Sequence, residues 1–398
     1  MPKDARASAP VVIALAGFTA LAVAMGIGRF AFTPILPMMQ QDFAMSLGEG
    51  GWLASANYLG YLVGALSAAT LRVRAATAVR VGLVVIGLVT LGMGLAQGFA
   101  AWLVLRGLAG VGSAWVLIFS SAWALGKLSA AGRPVLRGTV FAGVGIGIAV
   151  AGVFCVVLMQ RGAGPPTAWK GLGSVALVAT VAIWRVLRPD HDTGGDESRQ
   201  QHPAPRYRWD FDSARLVLCY GAFGFGYIIP ATFVPAMARD LVKDPLVFGW
   251  SWPIFGLAAA LSTLVAAPGT RLIGNRRLWA LSHLVMALGV AAPVVRPTIG
   301  GIMVAAFLVG GTFMVSTMSG LQEAQLVAAP RATGLMAMMT AAFATGQIGG
   351  PLLVTHSVGP HGDLSRPLLV SCLLLIVSAG GLWPRRPVRD AAVHVPTR

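Results

Sequence analysis

Twelve apolar stretches, each about long enough to cross a lipid bilayer, occupy most of this chain of 398 residues. A bilayer has a hydrocarbon core about 30 Å thick, which a helix of about 20 apolar residues crosses. The stretches form two blocks of six, separated by a long polar segment at 188–213. A soluble domain of this length would not need apolar runs of this length and number. The sequence therefore predicts an all-α membrane protein with twelve transmembrane helices in two six-helix halves.

The division of the chain follows from the same pattern. We place the N-terminal half at 1–187, a linker at 188–213 and the C-terminal half at 214–398. The linker mixes charged residues with Pro and Gly and has no hydrophobic period, which is typical of a flexible connection. The predicted spans are 10–38, 50–71, 79–98, 100–124, 138–160, 169–187, 214–236, 247–269, 278–295, 298–322, 333–357 and 367–383.

The distribution of charge indicates an orientation in the membrane. The formal net charge is +16, which in a soluble protein would suggest a nucleic-acid partner. Here charged residues make up only 11% of the chain and lie mostly between the apolar stretches. With a cytoplasmic N-terminus, 22 of the 30 Lys and Arg residues fall on the cytoplasmic side and six on the outer side. Because basic loops favour the cytoplasm, we expect both termini there, a lipid bilayer around the chain and no nucleic-acid partner.

Two glycine-rich spans carry motifs of a known family. Residues 106–114 read RGLAGVGSA, which resembles the R-x-x-x-G-x-G-x-A signature of the major facilitator superfamily. Residues 143–152 read GVGIGIAVAG, which is similar to the glycine-rich antiporter motif of that superfamily but lacks its proline. In such motifs small residues such as Gly110 let a neighbouring helix approach closely. The resemblance extends over nearly the whole chain, since the superfamily also has a 6+6 layout with a cytoplasmic linker.

Three further segments resemble one subgroup of that superfamily, the YbfB/YjiJ-type bacterial transporters. They are GIGRFAFTPILP at 26–37, GWLASANYLGY at 51–61 and GLQEA at 320–324. The resemblance implies a secondary active transporter of the bacterial inner membrane that works by alternating access. It also implies proton coupling, and a single chain of twelve spans that is complete as a monomer. The basic loops after the second and eighth spans keep only part of the superfamily's motif, so a cytoplasmic charge gate would need other partners.

Other function classes find little support in the sequence. No glycine-lysine phosphate loop is present, so we do not expect ATP-driven transport. No group of nucleophile, acid and base falls within the spans, so we expect no enzyme, and we expect neither a cofactor nor a metal. Arginines in the first and fourth spans favour a small anionic or zwitterionic substrate. Two alternatives stay open: an efflux antiporter of neutral or cationic compounds, and a non-transporting membrane sensor on the same scaffold.

Arg29 is the first candidate for a substrate-binding residue. It lies well inside the first span, and an arginine at that depth is costly unless it faces the interior of the bundle or a water-filled cavity. A guanidinium group matches a carboxylate or phosphate, so Arg29 is a candidate anchor for an anionic group. The alternative is a structural role, in which Arg29 pairs with Asp42 or Glu49 or reaches toward the outer interface.

Three more candidates lie in the second and fourth spans. Asn57 and Tyr61 are one helical turn apart, which places them on one face where they would donate hydrogen bonds to a substrate. They would otherwise bond and pack against a neighbouring helix. Arg106, from its motif, is a candidate for substrate binding or proton coupling. The alternative for Arg106 is a clamp that binds the backbone carbonyls of another helix.

The tenth span carries a polar stripe of Thr312, Ser316, Ser319 and Glu323, spaced so that all four lie on one helical face. By resemblance this face lines the central pathway, and Thr312 and Ser316 are candidate substrate ligands. Their hydroxyls would otherwise bond to their own helix. Glu323 is the candidate proton carrier. It would otherwise form a cytoplasmic gate with Arg331 or Arg271.

Two candidates in the second half lie beside helix-breaking residues. Tyr227 precedes Pro230 in the seventh span, and Gln347 lies among glycines and Pro351 in the eleventh. Interrupted helices often border the binding sites of transporters, although prolines also occur in membrane helices for structural reasons. Tyr227 and Gln347 are therefore predicted to contact the substrate.

Overall fold

Helices form every element that the structure describes. The computed structural model describes residues 3–71, 73–133, 135–188, 210–241, 245–328, 331–357 and 364–383. The elements are α1 (Lys3–Leu21), a π-helical segment (Ala22–Phe30), α2 (Phe32–Asp42), α3 (Leu47–Thr70), α4 (Ala75–Met93), α5 (Phe99–Ala130), α6 (Leu136–Gln160), α7 (Pro165–Ile183), α8 (Phe211–Leu241), α9 (Pro245–Ile273), α10 (Asn275–Val295), α11 (Ile299–Ala328), α12 (Ala332–Ser357) and α13 (Ser365–Leu382).

Ten stretches within these described residues are long and apolar enough to cross a membrane, and one of them, Pro10–Asp42, joins part of α1 with the π-helical segment and α2. A helix also lies at each of the other two predicted positions. These two helices, α3 and α12, have 24 and 26 residues but are not among the ten. The helical fold is thus confirmed, whereas the count of twelve spans stays a prediction. Most of the predicted linker, 189–209, lies outside the described residues.

Two helix pairs make most of the contacts between the described N-terminal helices and the C-terminal ones. They are α6 with α9 and α3 with α12. In the first pair the backbones touch, because a Cβ atom added to Gly256 would lie 2.5 Å from the amide nitrogen of Ala149. Close backbone contact of this kind requires small residues, which explains the glycine-rich sequence of α6. The helices α3 and α12 therefore face the middle of the bundle, which gives a physical reason for their polar residues.

The helices α3 and α5 pack with equally close backbones in the N-terminal half. A Cβ atom on Gly60 would overlap the carbonyl oxygen of Gly107, and one on Gly110 would overlap the carbonyl oxygen of Asn57. Gly110 therefore has the close helix neighbour that the motif at 106–114 predicts. Since Asn57 takes part in this contact, the packing also places its side chain inside the bundle.

The π-helical segment Ala22–Phe30 interrupts the first span. Segments of this kind are rare and are frequently found at functional sites. Backbone carbonyl oxygens of this one accept hydrogen bonds from partners outside the segment. The helix α5 supplies two of those partners. The Ser113 hydroxyl donates to the Ala24 carbonyl oxygen at 2.8 Å, and Nη1 of Arg106 donates to the Gly28 carbonyl oxygen at 3.4 Å. The segment thereby holds Arg29, its second-last residue, in a fixed place.

Candidate substrate-binding site

Arg29 connects the two groups of helices near the middle of the bundle. Its side chain is 3% exposed, and its Nη2 donates a hydrogen bond to Oε1 of Gln347 on α12. The Nε2 of Gln347 in turn donates to the hydroxyl oxygen of Tyr227 on α8 at 3.0 Å. The structure therefore brings together three of the predicted site residues, from three spans that are far apart in the sequence.

Aromatic rings surround the guanidinium group of Arg29. Its carbon Cζ lies 4.2 Å from the ring centroid of Tyr61, 5.4 Å from that of Tyr58 and 5.8 Å from that of Phe343. These distances suit cation–π attraction, which is stronger where water is excluded. Tyr61 was predicted as a site residue, whereas Tyr58 and Phe343 were not. Helical spacing was an available signal, since Tyr58 lies one turn before Tyr61 and Phe343 one turn before Gln347.

Two of the three guanidinium nitrogens of Arg29 have no hydrogen-bond partner among the described residues. Neither Nε nor Nη1 makes a hydrogen bond within the described residues, and the Tyr61 hydroxyl also lacks a partner there. The ion pairs found in the described part of the chain do not include Arg29. The expected alternative, a pair with Asp42 or Glu49, is not what the structure shows: Glu49 instead accepts hydrogen bonds from Ser46. Arg29 is therefore a buried cation with open donors.

A stack of aromatic side chains continues from this point into the C-terminal helices. Tyr227 lies between Phe313 and Phe343, with ring centroids 5.6 Å apart in both pairs and interplanar angles of 8° and 12°. Phe255 stacks on Phe313, with ring centroids 5.2 Å apart. Trp252 stacks in turn on Phe255, with ring centroids 5.1 Å apart. The surroundings of Arg29 are thus flat, apolar and rich in π-electrons.

Comparison with known proteins identifies the family. The sequence model of a family described as "Uncharacterised MFS-type transporter YbfB" matches residues 21–382. The chain belongs to this family. No curated protein matches it. The family match confirms the resemblance found in the sequence and, with the apolar helices, indicates a multi-pass membrane protein of the transporter class. Its description names no substrate, so the substrate has to be inferred from the site.

In this transporter the side chain of Arg106 donates its hydrogen bonds to backbone carbonyl oxygens. Its Nε donates to the carbonyl oxygen of Leu53 and its Nη1 to that of Gly28, both at 3.4 Å, and its Cζ lies 4.5 Å from the ring centroid of Phe32. Asn57 donates through Nδ2 to the carbonyl oxygen of Arg106 at 3.0 Å. This geometry favours the alternative of a helix clamp for both residues. Their roles in substrate binding or proton coupling stay predictions.

The residues of the polar stripe of α11 differ in their hydrogen-bond partners. The Thr312 hydroxyl donates to the carbonyl oxygen of Leu308 at 2.6 Å, which is bonding to its own helix. Ser316 and Ser319 are fully buried, and their hydroxyls have no partner among the described residues. Ser316 therefore remains available to a ligand, whereas Thr312 has a partner already.

Glu323 belongs to an ion-pair network at one end of the bundle. Its Oε1 accepts from Nε of Arg276 at 2.6 Å, and the same arginine binds the carboxylate of Asp212, which also pairs with Arg215. The sequence suggested Arg331 or Arg271 as the partner of Glu323, and the structure shows Arg276. Arg276 reaches Glu323 because α10 and α11 are neighbours, and the first turn of α10 lies beside the last turns of α11. All four residues belong to the C-terminal helices, so this network does not bridge the halves.

Proposed function

We propose that this protein is a secondary active transporter that moves a small anionic or zwitterionic molecule across the bacterial inner membrane by alternating access. All twelve predicted spans cross the membrane in this proposal, with both termini in the cytoplasm, and one chain forms the whole pathway. The helices α3 and α12 count as spans because they lie against each other inside the bundle. Their polar faces then contact protein and substrate instead of lipid.

One observation carries the proposal: Arg29 is buried between the halves, and two of its nitrogens have no hydrogen-bond partner in the described part of the chain. A charged group in an apolar surrounding costs free energy unless it is paired, so pairing with Arg29 favours the binding of an anion at this point. Arg29 lies in the first span, and Gln347, which accepts a hydrogen bond from it, lies in the eleventh. An anion bound here contacts both halves and is positioned to couple its own passage to their rocking motion.

Substitution of Arg29 tests the proposal. In purified protein, anions from a panel of anionic, zwitterionic, cationic and neutral metabolites are expected to raise the melting temperature of the wild type by mass action. Arg29→Gln removes the charge, and since a hydrogen bond to a charged group contributes about 1.5–3 kcal/mol, binding should weaken by at least about tenfold. Arg29→Lys should retain part of the effect, because it keeps the charge without the fork.

The matched control for this experiment is Arg80→Gln, since Arg80 also lies beside an aromatic ring but donates to a backbone carbonyl at a helix end. It should bind the anions as the wild type does. If cationic or neutral compounds stabilise the wild type and Arg29→Gln equally, the site is not an anion site.

For coupling, we propose that Glu323 accepts the transported proton. Its carboxylate shares Arg276 with Asp212, so protonation of Glu323 leaves the arginine with a second partner and opens one contact between α10 and α11. In proteoliposomes, Glu323→Gln is expected to retain anion binding while uptake no longer responds to an imposed pH gradient. Asp212→Asn serves as the control and should keep the response. Unchanged gradient dependence in Glu323→Gln would exclude Glu323 as the carrier.

A further inference from the structure

We propose that the substrate is a planar, aromatic monocarboxylate, an inference that rests on the anion site proposed above and narrows its ligand. Three features of the site lead to it: the number of open positive charges, the absence of carboxylates at the same depth, and the shape of the surrounding side chains.

The first feature is that the site offers one positive charge. Two arginines are buried within the described spans, Arg29 and Arg106, each 3% exposed. Arg106 already donates to two backbone carbonyls from two other helical segments. Of these two buried arginines, Arg29 is the one whose donors lack partners among the described residues. A ligand with two negative charges would leave one of them unpaired in an apolar surrounding, which is costly, so the charge of the site selects a monoanion.

The second feature is that carboxylates lie away from Arg29. Of the 14 Asp and Glu residues in the sequence, those in the described residues lie in or near terminal turns of helices or just outside them. The most internal one is Glu323, five residues before α11 ends at Ala328, and it already binds Arg276. A zwitterion such as an amino acid would bring an ammonium group that no carboxylate of the described residues is placed to receive. The charge pattern of the described residues therefore favours the anionic class over the zwitterionic class.

The third feature is the flat shape of the surroundings. The rings of Tyr61, Tyr58, Phe30 and Phe343 all lie within 5.8 Å of the Arg29 guanidinium carbon, measured to their centroids. Phe30 continues this surface to the stacked rings, with its centroid 5.9 Å from that of Phe313. Aromatic rings attract other rings in offset or edge-to-face geometry beyond simple burial. A carboxylate carried on an aromatic ring places the charge on Arg29 and the ring among these side chains.

Matched pairs of ligands separate the parts of this inference. The probes are benzoate with cyclohexanecarboxylate, and 2-naphthoate with its saturated counterpart, so that ring character varies at constant charge and similar size. Phthalate, phenylalanine and benzamide test a second negative charge, a zwitterion and a neutral isostere. Binding is measured by calorimetry and by thermal shift on the detergent-purified full chain.

We expect at least one aromatic acid to bind about three- to tenfold tighter than its saturated partner, which is the range that ring–ring contact supplies. Phthalate, phenylalanine and benzamide should each bind at least tenfold more weakly than benzoate. Phe343→Leu should remove the aromatic preference while both acids of a pair still bind. Tyr58→Leu, at a half-buried position, provides the same measurement if Phe343→Leu does not fold, and Phe43→Leu at an exposed position is the control that should keep the preference.

The outcomes distinguish this inference from the proposed function. If saturated and aromatic acids bind equally in both pairs, or if phenylalanine or phthalate binds as tightly as benzoate, the substrate class is wrong and the anion site stands. If no acid binds in a manner that depends on Arg29, the anion site and the substrate class fail together.

Discussion

Gln347→Glu is expected to abolish anion binding while leaving the fold intact. The change replaces the amide oxygen that accepts from Arg29 by a carboxylate of the same shape, so the protein supplies its own counter-ion. Two unit charges about 4 Å apart attract by roughly 4 kcal/mol at the effective dielectric constant typical of proteins. A substrate anion has to compete with that attraction, and binding should therefore weaken by at least about 100-fold.

The stability of the ligand-free protein should change in the opposite sense. In the variant Arg29 gains a charged partner. The Tyr227 hydroxyl accepts a hydrogen bond from Gln347 in the wild type, and it is able to rotate and donate to the carboxylate of the variant instead. The melting temperature without ligand is therefore expected to equal or exceed that of the wild type. Thermal shift with and without anion, in the same detergent, measures both effects at once.

Gln347→Met is the matched control for this variant. The methionine side chain has nearly the same length as glutamine and no oxygen acceptor. The substitution therefore removes the hydrogen bond to Arg29 and leaves the charge of Arg29 without a counter-ion from this position. Anion binding should persist in Gln347→Met. Were Gln347→Glu to bind anions as tightly as the wild type, the charge of Arg29 would have no part in binding, and the proposed function would have to be abandoned.

Gly60→Ala is expected to be the most damaging small substitution in the N-terminal half. The added Cβ would overlap the carbonyl oxygen of Gly107 on α5, which is backbone and cannot turn away. Forcing extra atoms into a packed contact typically costs about 1–3 kcal/mol and more where backbone has to shift. Alanine gains at most about 1 kcal/mol over glycine from helix propensity, so the clash outweighs it. The melting temperature should fall clearly.

The same helix supplies the control. Gly51 lies on α3 with nothing within 4 Å of an added Cβ, so Gly51→Ala introduces the same methyl group without a clash. It should be neutral or slightly stabilising. Because Asn57 and Tyr61 lie on the helix that Gly60→Ala displaces, anion binding should weaken in that variant as well. Equal melting temperatures for the two variants would mean that α3 and α5 are not in backbone contact.

The sequence predicted the helices well, because the signal for each is local. Apolar runs of sufficient length mark the spans whatever their neighbours are, and a helix lies at each predicted position. The first span is the exception in detail. Its sequence gives no sign that residues 22–30 form a π-helical segment, because that conformation depends on partners from α5, such as Ser113.

The candidate site was predicted only in part. Burial of Arg29 followed from its depth in a span, but its contact with Gln347 joins residues 318 positions apart. The sequence suggested Arg271 or Arg331 as the partner of Glu323, and the structure shows Arg276, because the choice depends on how α10 packs against α11. Pattern and spacing show which face of a helix a residue occupies, and they do not show which other helix that face meets.

The sequence by itself therefore determined the helical membrane architecture and the transporter family, because hydrophobic length and local motifs are properties of single segments. The tertiary structure alone decided the difference between the two buried arginines. Arg106 meets backbone carbonyls that satisfy its donors, and Arg29 meets aromatic faces and one amide that leave two nitrogens open. A hydrogen bond depends on distance and direction between helices, and those are set by the close packing of the glycine-rich spans.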